Sequence, residues 1–139
     1  MIILGLDPDK GWAVVRNKKV IDAGTTKGMA ELEKKIDLIA RLCRDGRQEL
    51  IVRIERPTNP KIFPRPGLSH GAMIKIARNV GQNYEKAESL QRFCKNLGLN
   101  VVFVSPARKK LNSKQVAALT GYKKRTSQHC RDSIMIAMR

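Results

Sequence analysis

The pattern of hydrophobic and polar positions along the chain predicts a meander of strands followed by alternating helices and strands. Three short apolar runs, separated by turn residues, predict strands at residues 2–6, 11–16 and 19–24. A fourth strand is predicted at residues 50–55, where the apolar residues Leu50, Val52 and Ile54 occupy every second position. A short apolar run predicts a fifth strand at residues 101–104. The chain therefore carries the strands of one small sheet.

Apolar residues that recur every three or four positions predict helices between and after these strands. The predicted helices cover residues 29–43, 71–97, 113–120 and 127–139. Gly46 and Gly98 follow the first two helices as stop signals. Asn112 or Ser113 is expected to cap the third helix, which stops at Gly121. A stretch with four prolines precedes the second helix and excludes regular structure there.

The order of these elements predicts an α/β fold with a mixed sheet. Strands joined through a helix cross over and run in the same direction, so the first, fourth and fifth strands should be parallel. We therefore expect one domain over residues 1–139, with a five-stranded mixed sheet and helices on both faces. In sheets of this kind, functional residues lie beyond the carboxyl ends of the parallel strands.

The charge of the chain is strongly positive. Its 28 Lys and Arg residues against 12 Asp and Glu residues leave a formal net charge of +16, and such a surface attracts polyanions. Solubility would need only a modest charge, so a nucleic acid is the favoured partner, with an anionic membrane or an acidic protein left open. The chain has only one Trp, two Tyr and three Phe residues on which unpaired bases could stack, so phosphate contacts should dominate.

Two features of the sequence bear on where the protein works. No apolar stretch reaches the roughly 18 residues of a membrane helix, and the first residues lack the basic start and long apolar segment of a signal peptide. Cys43, Cys94 and Cys130 are widely spaced and odd in number, which fits reduced thiols better than disulfides or a zinc site. We expect a cytoplasmic protein with no membrane segment.

Three acidic residues stand out in this basic chain because of their positions. Asp7 follows the first predicted strand, Glu55 ends the fourth, and Asp132 is the only acid among residues 89–139. The first two have ordinary explanations on their own, since Asp-Pro often opens a turn and a Glu at a strand end can face solvent. As a set, the acids are expected to converge on the edge where the parallel strands end.

The same three acids suggest metal chemistry, although a salt bridge to Arg131 or Lys124 would be an ordinary explanation for Asp132. Carboxylates brought close together would shift one another's pKa values unless divalent cations neutralised them, and oxygen ligands suit Mg²⁺ or Mn²⁺. Two such ions about 4 Å apart could activate water and stabilise the leaving oxygen of a phosphodiester. His129 stands three positions before Asp132 on the same helical face, so it is either a metal ligand or general base, or a polar residue on a helix flank.

Several segments of the chain carry these candidate residues in a recognisable order. The segments are ILGLDP at residues 3–8, GWAVV at 11–15, VRIE at 52–55 and HCRDSIMIA at 129–137. They resemble the motifs of the RuvC-type Holliday junction resolvases, a family with a ribonuclease-H-like fold. Val80-Gly81-Gln82 is similar to a Gly-Gln in the long helix of that family, and Pro106 with the lysines that follow it is similar to its lysine-bearing segment. The likeness spans most of the chain.

The resemblance implies the chemistry and the assembly of that family. Four side chains would bind two Mg²⁺ ions, for which Mn²⁺ should substitute: Asp7, Glu55, His129 and Asp132. Lys114 would steady the pentacovalent transition state, with Lys109 or Lys110 beside it at the scissile phosphate. The family cuts four-way junctions as a homodimer and leaves 5′-phosphates, which implies an interface on one apolar helical face, here on the long helix. Further nucleic-acid contacts are expected from Arg56, Phe63, Arg108, Lys123, Lys124 and Arg125.

The chain also departs from the pattern of that family. The turn after Asp7-Pro8 is short, and Asp9 stands where a glycine is expected. No aromatic residue directly follows Glu55 to wedge into a junction, so Phe63 in the proline-rich stretch is the expected substitute. A divergent or phage-encoded member would fit these departures.

Two other functions stay open at this level. The first is an RNA-processing nuclease of the YqgF type, which shares the fold, although residues 105–108 read Ser-Pro-Ala-Arg where that family has a segment like Asp-Glu-Arg. The second is a non-catalytic module that binds structured DNA or RNA. Binding without cleavage and without metal ions would favour the module.

Overall fold

The computed structural model describes residues 1–8, 10–57, 67–106 and 109–139. The strands are β1 (Ile2–Leu6), β2 (Gly11–Arg16), β3 (Lys19–Thr25), β4 (Leu50–Glu55) and β5 (Asn100–Val104). The helices are α1 (Met29–Asp45), α2 (His70–Asn96), α3 (Ser113–Thr120) and α4 (Gln128–Met138). Every strand and helix that the sequence predicts is confirmed, with bounds that agree to within two residues.

The strands form one sheet in the order β3-β2-β1-β4-β5. β1, β4 and β5 are parallel, whereas β2 and β3 are antiparallel to their neighbours, which confirms the mixed sheet. Leu6 of β1 pairs with Ile54 of β4, so the next residues, Asp7 and Glu55, lie side by side at the ends of these two strands. The register of the parallel strands therefore brings two of the candidate acids to one edge.

Each face of the sheet is covered by helices. Alternate residues of β4 are buried, as their apolar positions predict, and pack with β1 residues against α1 and α2. The other face packs against α4, which contacts β1, β2 and β3. The members of the larger core are mainly Leu4, Leu6, Trp12, Leu32, Ile36, Val52, Ile54 and Leu90. Helices on both faces are thus confirmed.

Two glycines let α4 lie directly on the sheet. A Cβ atom at Gly5 would overlap the carbonyl oxygen of Ser133, and one at Gly11 would overlap the carbonyl oxygen of His129. Because neither strand position carries a side chain on this face, the backbone of α4 approaches the strands closely. This contact fixes the start of α4 beside the end of β1.

Local hydrogen bonds set the ends of the last two helices. Asn112 caps α3 by accepting from the backbone N–H of Gln115, whose side chain accepts in turn from the Asn112 backbone. Gly121 ends α3 in the left-handed region at φ 73°. Ser127 caps α4 through the backbone N–H of Cys130. The cap at Ser127 defines where α4 begins and hence which of its residues face the sheet edge.

The structure also bears on the membrane and cysteine expectations. Within the described ranges, every helix is too short or too polar to span a lipid bilayer. Cys43, Cys94 and Cys130 are buried free thiols. Burial raises the pKa of Cys94 to about 12 and that of Cys130 to about 11, so these thiols stay protonated at neutral pH.

Candidate active site

A cavity of about 310 Å³ opens at the carboxyl ends of β1 and β4. Its lining residues are Asp7, Pro8, Glu55, Pro57, Asn83, Lys110, His129 and Asp132. The structure therefore brings together all four residues that the sequence suggests as metal ligands, and adds Lys110 from the segment after β5. The sequence did not single out Asn83 as a site residue, although it directly follows the Gly81-Gln82 pair on α2.

Asp7 and His129 line this cavity and contact each other. The Asp7 carboxylate oxygen Oδ2 and the His129 ring nitrogen Nδ1 are 2.5 Å apart. The backbone N–H of Asp7 donates to the carbonyl of Gly11 at 3.1 Å and lies 3.2 Å from the hydroxyl oxygen of Ser133. The Asp7 side chain is only 13% exposed. Its burial and these contacts together hold Asp7 between β1 and α4.

Asp132 is held by two donors from its own chain. Lys110 Nζ donates to Oδ2 at 2.6 Å, and the side-chain amide of Gln128 donates to Oδ1 at 2.7 Å. The ion-pair partner is Lys110 and not Arg131 or Lys124, the two partners that the sequence suggested. Lys110, which follows β5, is therefore in direct contact with the one acid of α4, Asp132.

The electrostatics of the cavity agree with crowded carboxylates. Burial raises the pKa of Glu55 above its ordinary value of 4.5, and the negative charges of Asp7 and Asp132 raise it further, while Lys110 and Arg139 act in the opposite direction. The hydrogen bond to Asp132 raises the pKa of Lys110, against the effect of its partial burial. At Glu55 the neighbouring acids therefore add to the effect of burial, as the sequence predicted for carboxylates brought close together.

The raised pKa of Glu55 predicts how stability depends on pH. Because the folded protein binds this proton more tightly than the unfolded chain, Glu55 favours folding below its ordinary pKa, and this contribution is lost as pH rises through the raised value. At neutral pH without divalent ions, Glu55→Gln should therefore raise the melting temperature by a few degrees, and the gain should vanish near pH 4. Thermal unfolding in EDTA at both pH values measures this. A lower melting temperature for the variant at neutral pH would contradict the account.

Whether these residues suit a metal ion depends on their chemistry and on their spacing. The chemistry fits, because three carboxylates and one imidazole line a single cavity, and such ligands suit Mg²⁺ or Mn²⁺. The spacing does not fit in this conformation. Among the residues that the structure describes, no three His, Cys, Asp or Glu side chains lie close enough together to share one ion. The ammonium group of Lys110 supplies the positive charge at Asp132 in this conformation.

Solved structures resemble this fold over nearly its whole length. RuvC of Thermus thermophilus in complex with a Holliday junction substrate aligns with a TM-score of 0.61 at 18% identity, over 99% of this chain and 90% of that chain. A further Thermus thermophilus RuvC structure aligns with a TM-score of 0.56 at 19% identity, over 99% and 92% of the two chains. The chain has the RuvC fold. No family model and no curated protein sequence matches it.

The RuvC fold confirms the ribonuclease-H-like α/β architecture expected from the motifs. The site residues of this chain lie where the first and fourth strands and the last helix of that fold meet. At this level of identity the likeness establishes the fold, and the roles of the individual side chains rest on their geometry.

The remaining basic residues of the expected nucleic-acid surface are exposed where the structure describes them, and none of them lines the cavity. Lys109 and Lys114 are exposed but are not among the residues that line the cavity. Arg56 is exposed directly after β4, with its guanidinium 5.8 Å from the ring centre of Phe103. Three further exposed cations follow α3: Lys123, Lys124 and Arg125. The expectations for Phe63, Arg108 and Asp9 fall outside the described residues.

Proposed function

We propose that this protein is a divalent-metal-dependent endonuclease that cleaves branched DNA, four-way junctions in particular. The observation that carries the proposal is the meeting of three acids and one histidine in a single cavity of a chain with net charge +16. Such acids would repel a phosphate backbone unless cations lay between them. The similarity in fold to a Thermus thermophilus RuvC that was solved with a Holliday junction substrate supports the choice of DNA.

The proposed chemistry assigns the acids to the metal. When bound, Mg²⁺ would polarise the scissile phosphate and lower the pKa of the attacking water. Asp7, Glu55 and Asp132 would hold the ions, and His129 would complete the set. Asp7 also orients the imidazole through Nδ1, as their 2.5 Å contact indicates.

Lys110 is the cation that we propose for the scissile phosphate. It lines the cavity, whereas Lys109 and Lys114 do not. Like any lysine with a pKa well above neutral, it is positively charged at neutral pH, so it can attract a phosphate oxygen. The exposed cations further away would bind more distant phosphates of the same DNA: Arg56, Lys109, Lys114, Lys123, Lys124 and Arg125.

A homodimer would present two such cavities to one junction, and α2 offers a surface for it. Ile74 near the start of α2 is 46% exposed, and Leu68 just before the helix is 37% exposed. Ile74→Glu is expected to turn a dimer into a monomer, because a charge would be placed in an apolar interface. Sedimentation velocity measures the mass. Ile21→Glu changes an exposed isoleucine on β3 and should leave the dimer intact; a dimer that survives Ile74→Glu would exclude this face.

A panel of substrates tests the proposed activity against the two alternatives. Wild-type protein with Mg²⁺ is expected to nick a synthetic four-way junction much faster than a linear duplex of the same sequence or a structured RNA. Faster cleavage of the RNA would favour an RNA-processing nuclease. Tight binding of all three substrates with cleavage of none would favour a non-catalytic module. Either outcome would overturn the proposal.

A further inference from the structure

Arg131 lies beside the site on α4 and ties together the segments that surround Asp132. Its Nε donates to the carbonyl oxygen of Leu111 at 3.0 Å. Its Nη1 donates to the carbonyl oxygen of Thr126 at 2.6 Å and to the hydroxyl of Ser113 at 3.0 Å. Its Nη2 donates to the side-chain oxygen of Gln128 at 3.0 Å. All three nitrogens of the half-buried guanidinium therefore donate hydrogen bonds to other residues of the chain.

The bond from Arg131 to Gln128 determines which end of the Gln128 amide faces Asp132. A side-chain amide has an oxygen on one side and an NH₂ group on the other. Because Arg131 holds the oxygen, the NH₂ group is turned toward Asp132 and donates to Oδ1 at 2.7 Å. A flipped amide would turn its oxygen toward the carboxylate, which is repulsive. Arg131 thus orients the donor that restrains one oxygen of Asp132.

The other bonds of Arg131 act on the second oxygen of the same carboxylate. Leu111 directly follows Lys110, and Ser113 begins α3. By holding Leu111 and Ser113, Arg131 fixes the segment from which Lys110 Nζ reaches Asp132 Oδ2 at 2.6 Å. Both oxygens of Asp132 are therefore bound by donors that depend on one guanidinium.

We propose that Arg131 is a positioning residue for Asp132, which acts through Gln128 on one oxygen and through the Lys110 segment on the other. This inference rests on the proposed function, since it treats Asp132 as a metal ligand. Removal of a partner that orients a ligating carboxylate typically costs about 10- to 100-fold in metal affinity or activity. Arg131 does not line the cavity, so its effect on the reaction would come through these partners.

Three substitutions test the proposal, with Mn²⁺ affinity measured by electron paramagnetic resonance. Arg131→Met keeps the length of the side chain without its donors and is expected to weaken Mn²⁺ binding about tenfold. Arg131→Lys keeps the charge but lacks the planar fork, so it should resemble Arg131→Met. Gln128→Met removes the bond to Asp132 and should weaken binding by about threefold or more, towards the lower end of the same range. Arg92→Met, which removes an exposed charge on α2, is the control and should bind Mn²⁺ like the wild type.

A second measurement reports on the same network without metal. Hydrogen exchange of the Gln128 side-chain NH₂, followed by nuclear magnetic resonance in EDTA, should be slow in the wild type and at least tenfold faster in Arg131→Met. If the wild type neither binds Mn²⁺ nor cleaves DNA, the proposed function fails, and this exchange still decides whether Arg131 orients Gln128.

The outcomes that would overturn the proposal are specific. Wild-type Mn²⁺ affinity in Arg131→Met, with only a lower melting temperature, would mean that Arg131 is merely structural. Full rescue by Arg131→Lys would mean that charge alone matters. If Arg131→Met does not fold, Gln128→Met decides, because Gln128 is the first residue of α4 and its loss leaves the bonds of Arg131 to Leu111 and Ser113 in place. Unchanged affinity in that variant would end the proposal.

Discussion

Replacing Asp7 with asparagine is expected to lower Mg²⁺-dependent cleavage of a four-way junction by about 1000-fold or more, which corresponds to about 4 kcal/mol. Asp7 lies at the end of the central strand β1, and its carboxylate is the group that contacts His129. Asparagine has the same size and leaves the backbone bond to Gly11 intact, so the fold should persist. Single-turnover cleavage with saturating Mg²⁺ measures the loss, and junction affinity should be equal or higher because one negative charge is gone.

The control for this substitution is Asp45→Asn. Asp45 is exposed at the last turn of α1, on a different part of the molecule, and its substitution changes the net charge by the same amount. It should cleave at the wild-type rate. If Asp7→Asn retains activity within about tenfold of the wild type, a difference of only about 1.4 kcal/mol, then Asp7 does not hold a catalytic ion.

Gly11→Ala is expected to lower the free energy of unfolding by about 3 kcal/mol and the melting temperature by about 10 °C. The added methyl group would overlap the carbonyl oxygen of His129 and crowd the hydroxyl of Ser133, so α4 would have to move away from β2. Because His129 and Asp132 lie on the first turns of α4, cleavage should fall together with stability. Thermal unfolding followed by circular dichroism measures the change.

Gly81→Ala is the matched control for that experiment. Apart from the adjacent residues and the backbone of the same helix, no atom of the described residues lies within 4 Å of a methyl group built at Gly81, in the middle of α2. Alanine is the better helix former, so this variant should be more stable than the wild type by about 0.5 to 1 kcal/mol. Equal melting temperatures for Gly11→Ala and the wild type would show that α4 does not rest on the sheet as closely as described.

The positions of Asp7 and Glu55 can be predicted from the sequence because they depend on strand periodicity. Asp7 follows one short apolar strand and Glu55 ends another. Parallel strands that are joined by crossovers end at the same edge of the sheet, so the two acids lie close together. His129 and Asp132 can be placed on one helical face from their spacing alone. Local patterns of this kind therefore suffice for the fold and for the four residues that meet in the cavity.

The partners of these residues depend on tertiary contacts that periodicity does not encode. Lys110 contacts Asp132, and Arg131 contacts the neighbouring Leu111, but no repeat pattern in the sequence marks either contact. Asn83 lines the cavity because of where α2 packs against β4 and β5, which the spacing of apolar residues does not specify. Side-chain reach and helix placement decide such contacts, which explains why Lys114, equally basic in sequence, lies outside the lining.

The nicking of one four-way junction by one preparation of wild-type protein, measured first in EDTA and then after addition of excess Mg²⁺, tests the central claim most directly. Junction arms of fixed sequence with labelled 5′ ends show where and when each strand is cut. The account predicts no nicking in EDTA and paired nicks with 5′-phosphate ends after Mg²⁺ is added. Nicking that proceeds in EDTA, or tight binding without nicking at any Mg²⁺ concentration, would contradict it.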